Sequence, residues 1–139
     1  MKCIPRTLSN LWIFLILNYL FCDVFSLYLS SYLQDLLNGG IGGVRFSEAF
    51  LLKFAIVMEI PMLMIPLSTF LKPKLGGKIN IFVAIFMLII QIGSLATGKN
   101  SLHYVFFSLI EISTLITIIF IASKWQKPQP KFNVQENIF

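Results

Sequence analysis

Four long apolar runs divide the chain and predict four membrane-spanning helices. The runs cover approximately residues 11–33, 47–71, 79–97 and 102–123. About 20 consecutive apolar residues cross a bilayer core as a helix, and none of these runs shows the strict alternation of a half-buried strand. Since only helices satisfy their backbone in lipid at such lengths, the pattern predicts an all-α integral membrane protein.

The connections between the runs are short, which predicts how the helices are arranged. They read "QDLLNGGIGGVRF", "KPKLGGK" and "GKNS". Short connections make neighbouring helices antiparallel, so we expect one up-down four-helix bundle over residues 1–125 and a polar cytoplasmic tail over 126–139. The glycine-rich first connection lacks the strand and the Lys-Ser/Thr pair of a phosphate-binding loop. We therefore interpret it as a flexible outer loop.

Basic residues lie unevenly on the two sides of the predicted bundle and indicate its orientation. Three are on the side of the first and third connections: Arg45, Lys53 and Lys99. Eight are on the other side: Lys2, Arg6, Lys72, Lys74, Lys78, Lys124, Lys127 and Lys131. The positive-inside rule then predicts a multi-pass protein of the inner (plasma) membrane with both termini cytoplasmic. Trp12 and Trp125 fall near the inner boundary, as expected for an interfacial aromatic belt.

Composition narrows the classes of function. Apolar residues make up 57% of the chain and charged residues only 12%, whereas soluble domains carry about 25% charged residues. The net charge is +5, but the charged residues lie mostly between the apolar runs. They do not form the solvated basic face of a nucleic-acid-binding protein. The two cysteines, Cys3 and Cys22, do not suggest a disulfide framework. The sequence contains no Cys/His cluster of the kind that binds a metal, and we expect no cofactor.

Three acidic residues lie at similar depth inside the predicted spans. Asp23 and Glu59 are each twelve residues into a run, and Glu111 is nine residues into the last run. Such a residue is costly in a membrane unless it faces the bundle interior, pairs or is protonated. We predict that the three carboxyls converge on one ligand- or proton-binding site. Because like charges in one apolar site cannot all ionise, at least one carboxyl should keep its proton at neutral pH.

Other polar residues in the spans are candidate partners of these acids. Three of them lie within about one to two helical turns of the acids in membrane depth: Asn18, Gln91 and Ser108. Ser108 also shares the helix face of Glu111. Lys53 either pairs with an acid or extends toward the outer surface. His103 is either an ordinary interfacial histidine or a proton entry group at the outer mouth. The simpler alternative is that protonated carboxyls only join helices by hydrogen bonds.

Two prolines within the second run predict a bend. Pro61 and Pro66 cannot donate hydrogen bonds to the carbonyls four residues earlier. We expect the helix to bend between Met58 and Met62, so that a freed carbonyl and Glu59 form a polar notch.

Three segments of the chain resemble a known family. They read "LWIFLILNYLFCDVFSLY", "FLLKFAIVMEIPMLMIPLS" and "FFSLIEI", and the similarity covers about residues 10–125. The segments resemble a bacterial family of small four-helix membrane proteins of unknown function that is distantly DoxX-like. The most specific part of the resemblance is a set of five residues: Asn18, Asp23, Glu59, Pro61 and Glu111. The resemblance implies a four-helix bundle in the bacterial inner membrane and implies no established activity.

The chain departs from this family at two points. Lys53 stands where a small residue is expected, which weakens any shared role for that position. The segment "GGKIN" keeps Asn80 but lacks the arginine associated with that turn.

Three hypotheses of function remain open. The first is that the protein binds or transports a small cation, a proton or a lipophilic ligand at a midplane carboxylate cluster. The second is a membrane enzyme that performs isomerase-like acid–base chemistry on a lipophilic substrate. The third is an accessory subunit of a membrane complex. The expected partners are the lipid bilayer and, for transport, further copies of the chain or a larger complex, but no nucleic acid.

Overall fold

The computed structural model describes residues 3–97 and 100–127. Within them it contains five helices and one two-stranded hairpin, in the order α1 (Cys3–Leu27), α2 (Ser30–Leu37), β1 (Gly40–Ile41), β2 (Val44–Arg45), α3 (Glu48–Phe70), α4 (Pro73–Thr97) and α5 (Leu102–Trp125). Four of these helices, α1, α3, α4 and α5, are long and apolar enough to cross a membrane. The predicted all-α architecture with four spans is confirmed. Most of the predicted polar tail, residues 128–139, lies outside the described residues.

The four long helices form an antiparallel bundle with two distinct ends. α1 packs against α3 and α5, and α4 packs against α5. A hydrogen bond joins Trp12, early in α1, to Asn80, early in α4, and another joins Ser26, late in α1, to His103, early in α5. We call the end near Cys3 and Trp125 the terminal end, and the end that carries α2 and the strands the hairpin end.

The first apolar run is divided between two helices. α1 ends at Leu27, six residues before the predicted boundary, because the backbone turns at Tyr28 and Leu29 and restarts as α2. The glycine-rich connection then forms a tight antiparallel hairpin instead of an irregular loop. Gly42 and Gly43 have φ values of 58° and 86°, a region that residues with a side chain rarely adopt.

α4 begins at Pro73, six residues earlier than the predicted boundary at residue 79. Proline suits the first turn of a helix because its missing N–H would have no partner there. The next residues include Gly76 and Gly77, which let α4 lie directly against α5. A Cβ atom at Gly77 would come within 2.9 Å of the Ala122 carbonyl oxygen. The glycine pair is therefore a helix-packing contact and not part of a loop.

The apolar core lies mainly in the half of the bundle near the terminal end. Its buried members are Leu8, Trp12, Leu15, Met64, Val83, Ala84, Met87, Leu115, Ile118, Ala122 and Trp125. Both tryptophans are buried, and their predicted place at the inner boundary, in an interfacial aromatic belt, stays a prediction. Trp12 is buried because its indole N–H has an acceptor in Asn80, and Trp125 because its ring packs over Gly76.

α3 is the least buried of the four long helices. Its buried residues are Pro61, Met64 and Ser68, all in the half near the terminal end. The helix runs from Glu48 to Phe70 without interruption, and both prolines lie inside it. The bend between Met58 and Met62 stays a prediction.

Candidate functional site

Glu111 is a buried carboxyl in the middle of α5. Its side chain is 1% exposed, and its Oε1 atom has no hydrogen-bond partner among residues 3–97 and 100–127. Ser108 and Thr114, three residues before and after it, are also buried and lie on the same helix face. Most buried polar atoms in proteins are hydrogen-bonded, so an unpaired carboxylate oxygen in the bundle interior needs an explanation.

α1 supplies the groups that face Glu111 from the next helix. The hydroxyl of Tyr19 is buried and, like Glu111 Oε1, has no hydrogen-bond partner. Tyr19 and Cys22 both lie within electrostatic range of Glu111. Asn18 is buried, and its Nδ2 atom donates to the carbonyl oxygen of Phe14 at 2.9 Å. The surroundings of Glu111 thus include Tyr19 and Cys22 of a second helix, whereas the Asn18 amide bonds within its own helix.

Polar contacts continue from Glu111 toward the hairpin end. Gln91 Nε2 donates to Ser108 Oγ at 2.9 Å. Next along α5, the hydroxyl of Tyr104 is hydrogen-bonded to that of Ser94. We call the set of Gln91, Ser94, Tyr104 and Ser108, together with His103, the polar track.

His103 occupies the outer end of the polar track. Its Nε2 atom lies 3.1 Å from Ser26 Oγ, and its Nδ1 atom lies 3.0 Å from Ser101 Oγ. The ring is half-buried, so it lies at the boundary between the bundle and its surroundings.

Apolar side chains fill the bundle interior between Glu111 and the terminal end. From Glu111 toward the terminal end, α5 buries Leu115 and Ile118, and the neighbouring helices add Leu15 and Met87, all of them at most 1% exposed. Polar side chains therefore continue from Glu111 toward the hairpin end and give way to an apolar layer toward the terminal end.

Beyond this apolar layer, Asn80 joins three helices. Its Oδ1 atom accepts a hydrogen bond from Trp12 Nε1 at 2.7 Å and lies 3.0 Å from Ser68 Oγ, whose single proton is shared with the Met64 carbonyl oxygen at 2.6 Å. Its Nδ2 atom donates to the Gly76 carbonyl at 2.8 Å. Because the donors and the acceptor are matched, this group, which we call the Asn80 hub, is a structural joint between α1, α3 and α4.

The Asn80 hub was not predicted from the sequence. A usable signal was present, because the buried residues of α4 include Asn80, Val83, Ala84, Met87 and Gln91, which follow the i, i+3, i+4, i+7 spacing of one helix face. A polar residue on an otherwise apolar packing face indicates a partner on another helix.

The other two acids of the predicted layer are placed differently. Asp23 is exposed on α1 yet lies within electrostatic range of Glu111. Glu59 is exposed on α3. It precedes buried Ser68 by nine residues, about two and a half turns, so it lies on the side of α3 opposite to the bundle. The structure brings Gln91 and Ser108 together about one turn from Glu111, buries Asn18 on α1 with its amide bonded to Phe14, and does not bring Glu59 into the interior.

Glu59 and Glu111 nevertheless lie at a similar depth. Ser68 and Asn80 are hydrogen-bonded, which defines a common level for α3 and α4. At about 1.5 Å per residue, Glu59 lies roughly 14 Å from that level. Gln91 lies roughly 17 Å from it on α4, and its partner Ser108 is one turn beyond Glu111. The two carboxyls thus lie at similar depth, but Glu111 faces the bundle interior and Glu59 faces outward.

An apolar groove of about 390 Å³ runs along the outside of the bundle between α1 and α5. Its lining consists of Leu11, Phe14, Phe106, Leu109, Ile110, Ser113, Thr114 and Thr117. Thr114 also lies on the Glu111 face of α5, but Glu111 is not among the lining residues. The groove is a lateral surface beside the buried acid and not a chamber around it.

Comparisons with known proteins identify a family without a known function. No curated protein and no solved structure matches the chain. The model of a family of unknown function, DUF6326, matches residues 4–131. This match includes all four apolar helices, Glu111, the polar track and the Asn80 hub. The chain therefore belongs to the family of unknown function DUF6326.

Proposed function

We propose that this protein takes up and releases a proton at Glu111, inside the membrane, through the hairpin end. The observation that carries the proposal is the unpartnered Oε1 atom of a carboxyl that is 1% exposed. No group among the described residues donates to Oε1, so an ionised carboxylate is poorly compensated there and burying it is costly. A proton removes that charge, and the hydroxyl of Tyr19 is a nearby group with which a protonated carboxyl can exchange a hydrogen bond.

The donor set suits a proton better than a metal cation. A cation such as Ca²⁺ is held by about six to eight oxygen atoms. Within residues 3–97 and 100–127 no group of three or more His, Cys, Asp or Glu residues could hold a metal ion. A proton needs one carboxyl and a route to solvent. The polar track supports such a route, because Ser108 lies about one turn from Glu111 and Tyr104 one turn further, with His103 next to it in sequence.

The groove between α1 and α5 supports a second candidate, the binding of a lipophilic ligand. Its lining is mainly apolar, it is open to the side of the bundle, and Thr114 connects it to the Glu111 face. A lipophilic ligand in this groove would lie one side chain away from the acid. Isomerase-like chemistry has less support, because it needs a second acid or base facing the same substrate, and both Asp23 and Glu59 are exposed.

The proposal includes a location in the bacterial inner membrane with both termini in the cytoplasm. Two basic residues lie at the hairpin end, Arg45 and Lys53. More of the described basic residues lie at the terminal end: Arg6, Lys72, Lys74, Lys78, Lys124 and Lys127. In this orientation the polar track faces the outside of the cell. The bacterial origin rests on the motif resemblance described above.

Infrared spectroscopy of the carboxyl stretch across pH tests the proton site directly. The protein is reconstituted in lipid nanodiscs as wild type, Glu111→Gln and Glu48→Gln. Glu48 is exposed in the first turn of α3 and serves as the matched control. We expect the wild type and Glu48→Gln to share a titrating protonated-carboxyl band that Glu111→Gln lacks. An unchanged band in folded Glu111→Gln would refute the proposal.

A further inference from the structure

The outward face of α3 carries an ionisable group at the depth of the membrane interior. Glu59 points away from Met64 and Ser68, the residues that α3 buries against the bundle. The neighbours of Glu59 on this face are exposed and apolar: Leu52, Ala55, Ile56, Met62, Leu63 and Pro66. We call this set, with Glu59, the Glu59 face.

An intramembrane carboxyl that faces lipid is unfavourable, and such residues almost always face protein or water. The described part of the chain provides no covering protein surface for Glu59, because the hairpin-end half of α3 has no buried residue before Pro61. Glu59 also lies at the middle of α3, eleven positions from each of its end residues, Glu48 and Phe70. A protein surface that covers the Glu59 face would remove this cost.

We propose that the Glu59 face is the interface with a second copy of this chain, in which the two Glu59 carboxyls pair across a twofold axis. In a twofold interface, a residue close to the axis meets its own copy. A second copy inserted in the same orientation places its Glu59 at the same depth without any further adjustment. Two copies of one carboxyl also complement each other chemically.

The chemical complementarity comes from a shared proton. A protonated carboxyl has one O–H donor and free acceptor lone pairs, and an ionised one has acceptors only. Two Glu59 side chains that hold one or two protons can therefore satisfy each other in a site without water. Ala55, one turn before Glu59 on the same face, is small enough to let two α3 helices approach closely.

Cysteine cross-linking in native membranes tests which surface meets the second copy. In a background with Cys3 and Cys22 replaced by alanine, one cysteine is introduced as Leu63→Cys on the Glu59 face or Phe82→Cys on α4. Both positions are well exposed, at 51% and 73%. We expect oxidation to give a disulfide-linked dimer for Leu63→Cys and not for Phe82→Cys. Equal yields at both positions, no dimer at Leu63→Cys, or a Leu63→Cys adduct with a different protein would overturn the proposal.

Substitution of Glu59 separates the hydrogen bond from general apolar packing. Glu59→Gln keeps a donor and an acceptor on each copy and should dimerise like the wild type. Glu59→Leu removes both the donor and the acceptor and makes this face of the monomer favourable in contact with lipid. Its dimer fraction in liposomes should therefore fall by about fivefold or more. Energy transfer between labelled copies measures this fraction. Wild-type dimerisation of Glu59→Leu would contradict the carboxyl pair. The Glu111 infrared band should persist in Glu59→Leu, which keeps this test independent of the proton site.

Discussion

At the scale of single residues, two buried polar side chains of the bundle have opposite characters. Asn80 has its acceptor and one donor satisfied by Trp12, Ser68 and Gly76. Glu111 is equally buried, and its Oε1 atom is unpaired. A satisfied group stabilises one arrangement of helices, whereas an unsatisfied buried group costs free energy that selection for stability alone would remove. This contrast is the physical reason for placing function at Glu111 and structure at Asn80.

The structural role of Asn80 gives the first residue-scale prediction. Asn80→Leu leaves the buried N–H of Trp12 without an acceptor, so it should lower the free energy of unfolding by about 1–2 kcal/mol. Ser113→Ala is the control, because the Ser113 hydroxyl is exposed and bonds only to its own helix at Leu109. Unfolding in lipid bicelles with increasing detergent measures the difference. Equal stabilities of the two variants would show that the hub contributes nothing.

His103 gives a prediction about the route of the proton. If the polar track carries protons to Glu111, His103→Ala should slow protonation after a pH jump and leave its final extent unchanged, since the carboxyl itself is intact. Time-resolved infrared spectroscopy of the Glu111 band measures both quantities. A rate equal to that of the wild type would place the proton entry elsewhere.

At the scale of secondary-structure elements, hydropathy predicted the four spans because their apolar character depends only on local sequence. The helix boundaries near Gly76 and Leu27 depend on contacts that the local sequence does not contain. A glycine pair shortly after a proline resembles a loop. Here Gly76 and Gly77, three and four residues after Pro73, continue a helix, with Trp125 and Ala122 of α5 in the space beside them. The same contact buries Trp125, and local sequence could not show this burial.

The close contact of α4 and α5 makes Gly77 sensitive to substitution. A Cβ atom at Gly77 would lie 2.9 Å from the backbone oxygen of Ala122, whereas one at Gly93 of the same helix would meet nothing within 4 Å. Gly77→Ala should therefore destabilise the bundle despite the higher helix propensity of alanine, which favours Gly93→Ala by up to about 1 kcal/mol. Detergent unfolding of both variants checks the opposite signs. Stabilisation by Gly77→Ala would mean that the helices separate without cost.

At the scale of the whole molecule, the bundle is divided between a tightly packed terminal half and a more polar hairpin half. Depth along the membrane can be counted from sequence, and Glu111, Ser108 and Gln91 were selected in this way. The side of a helix that packs against the bundle cannot be predicted from residue spacing when the helix is apolar on all sides. α3 is such a helix, so the sequence placed Glu59 at a depth close to that of Glu111 but could not show that it points outward.

The orientation of the whole bundle gives the last prediction. Six of the described basic residues lie at the terminal end and two at the hairpin end, and the positive-inside rule favours the more basic end in the cytoplasm. A reporter active only in the cytoplasm should be active when fused after Phe139 and inactive when inserted at Gly42 in the hairpin. Changing Lys72, Lys74 and Lys78 to glutamine should reduce this asymmetry and give a mixed population, because these charges flank two spans directly. A periplasmic signal from the Phe139 fusion of the wild type would reverse the topology and direct the polar track toward the cytoplasm.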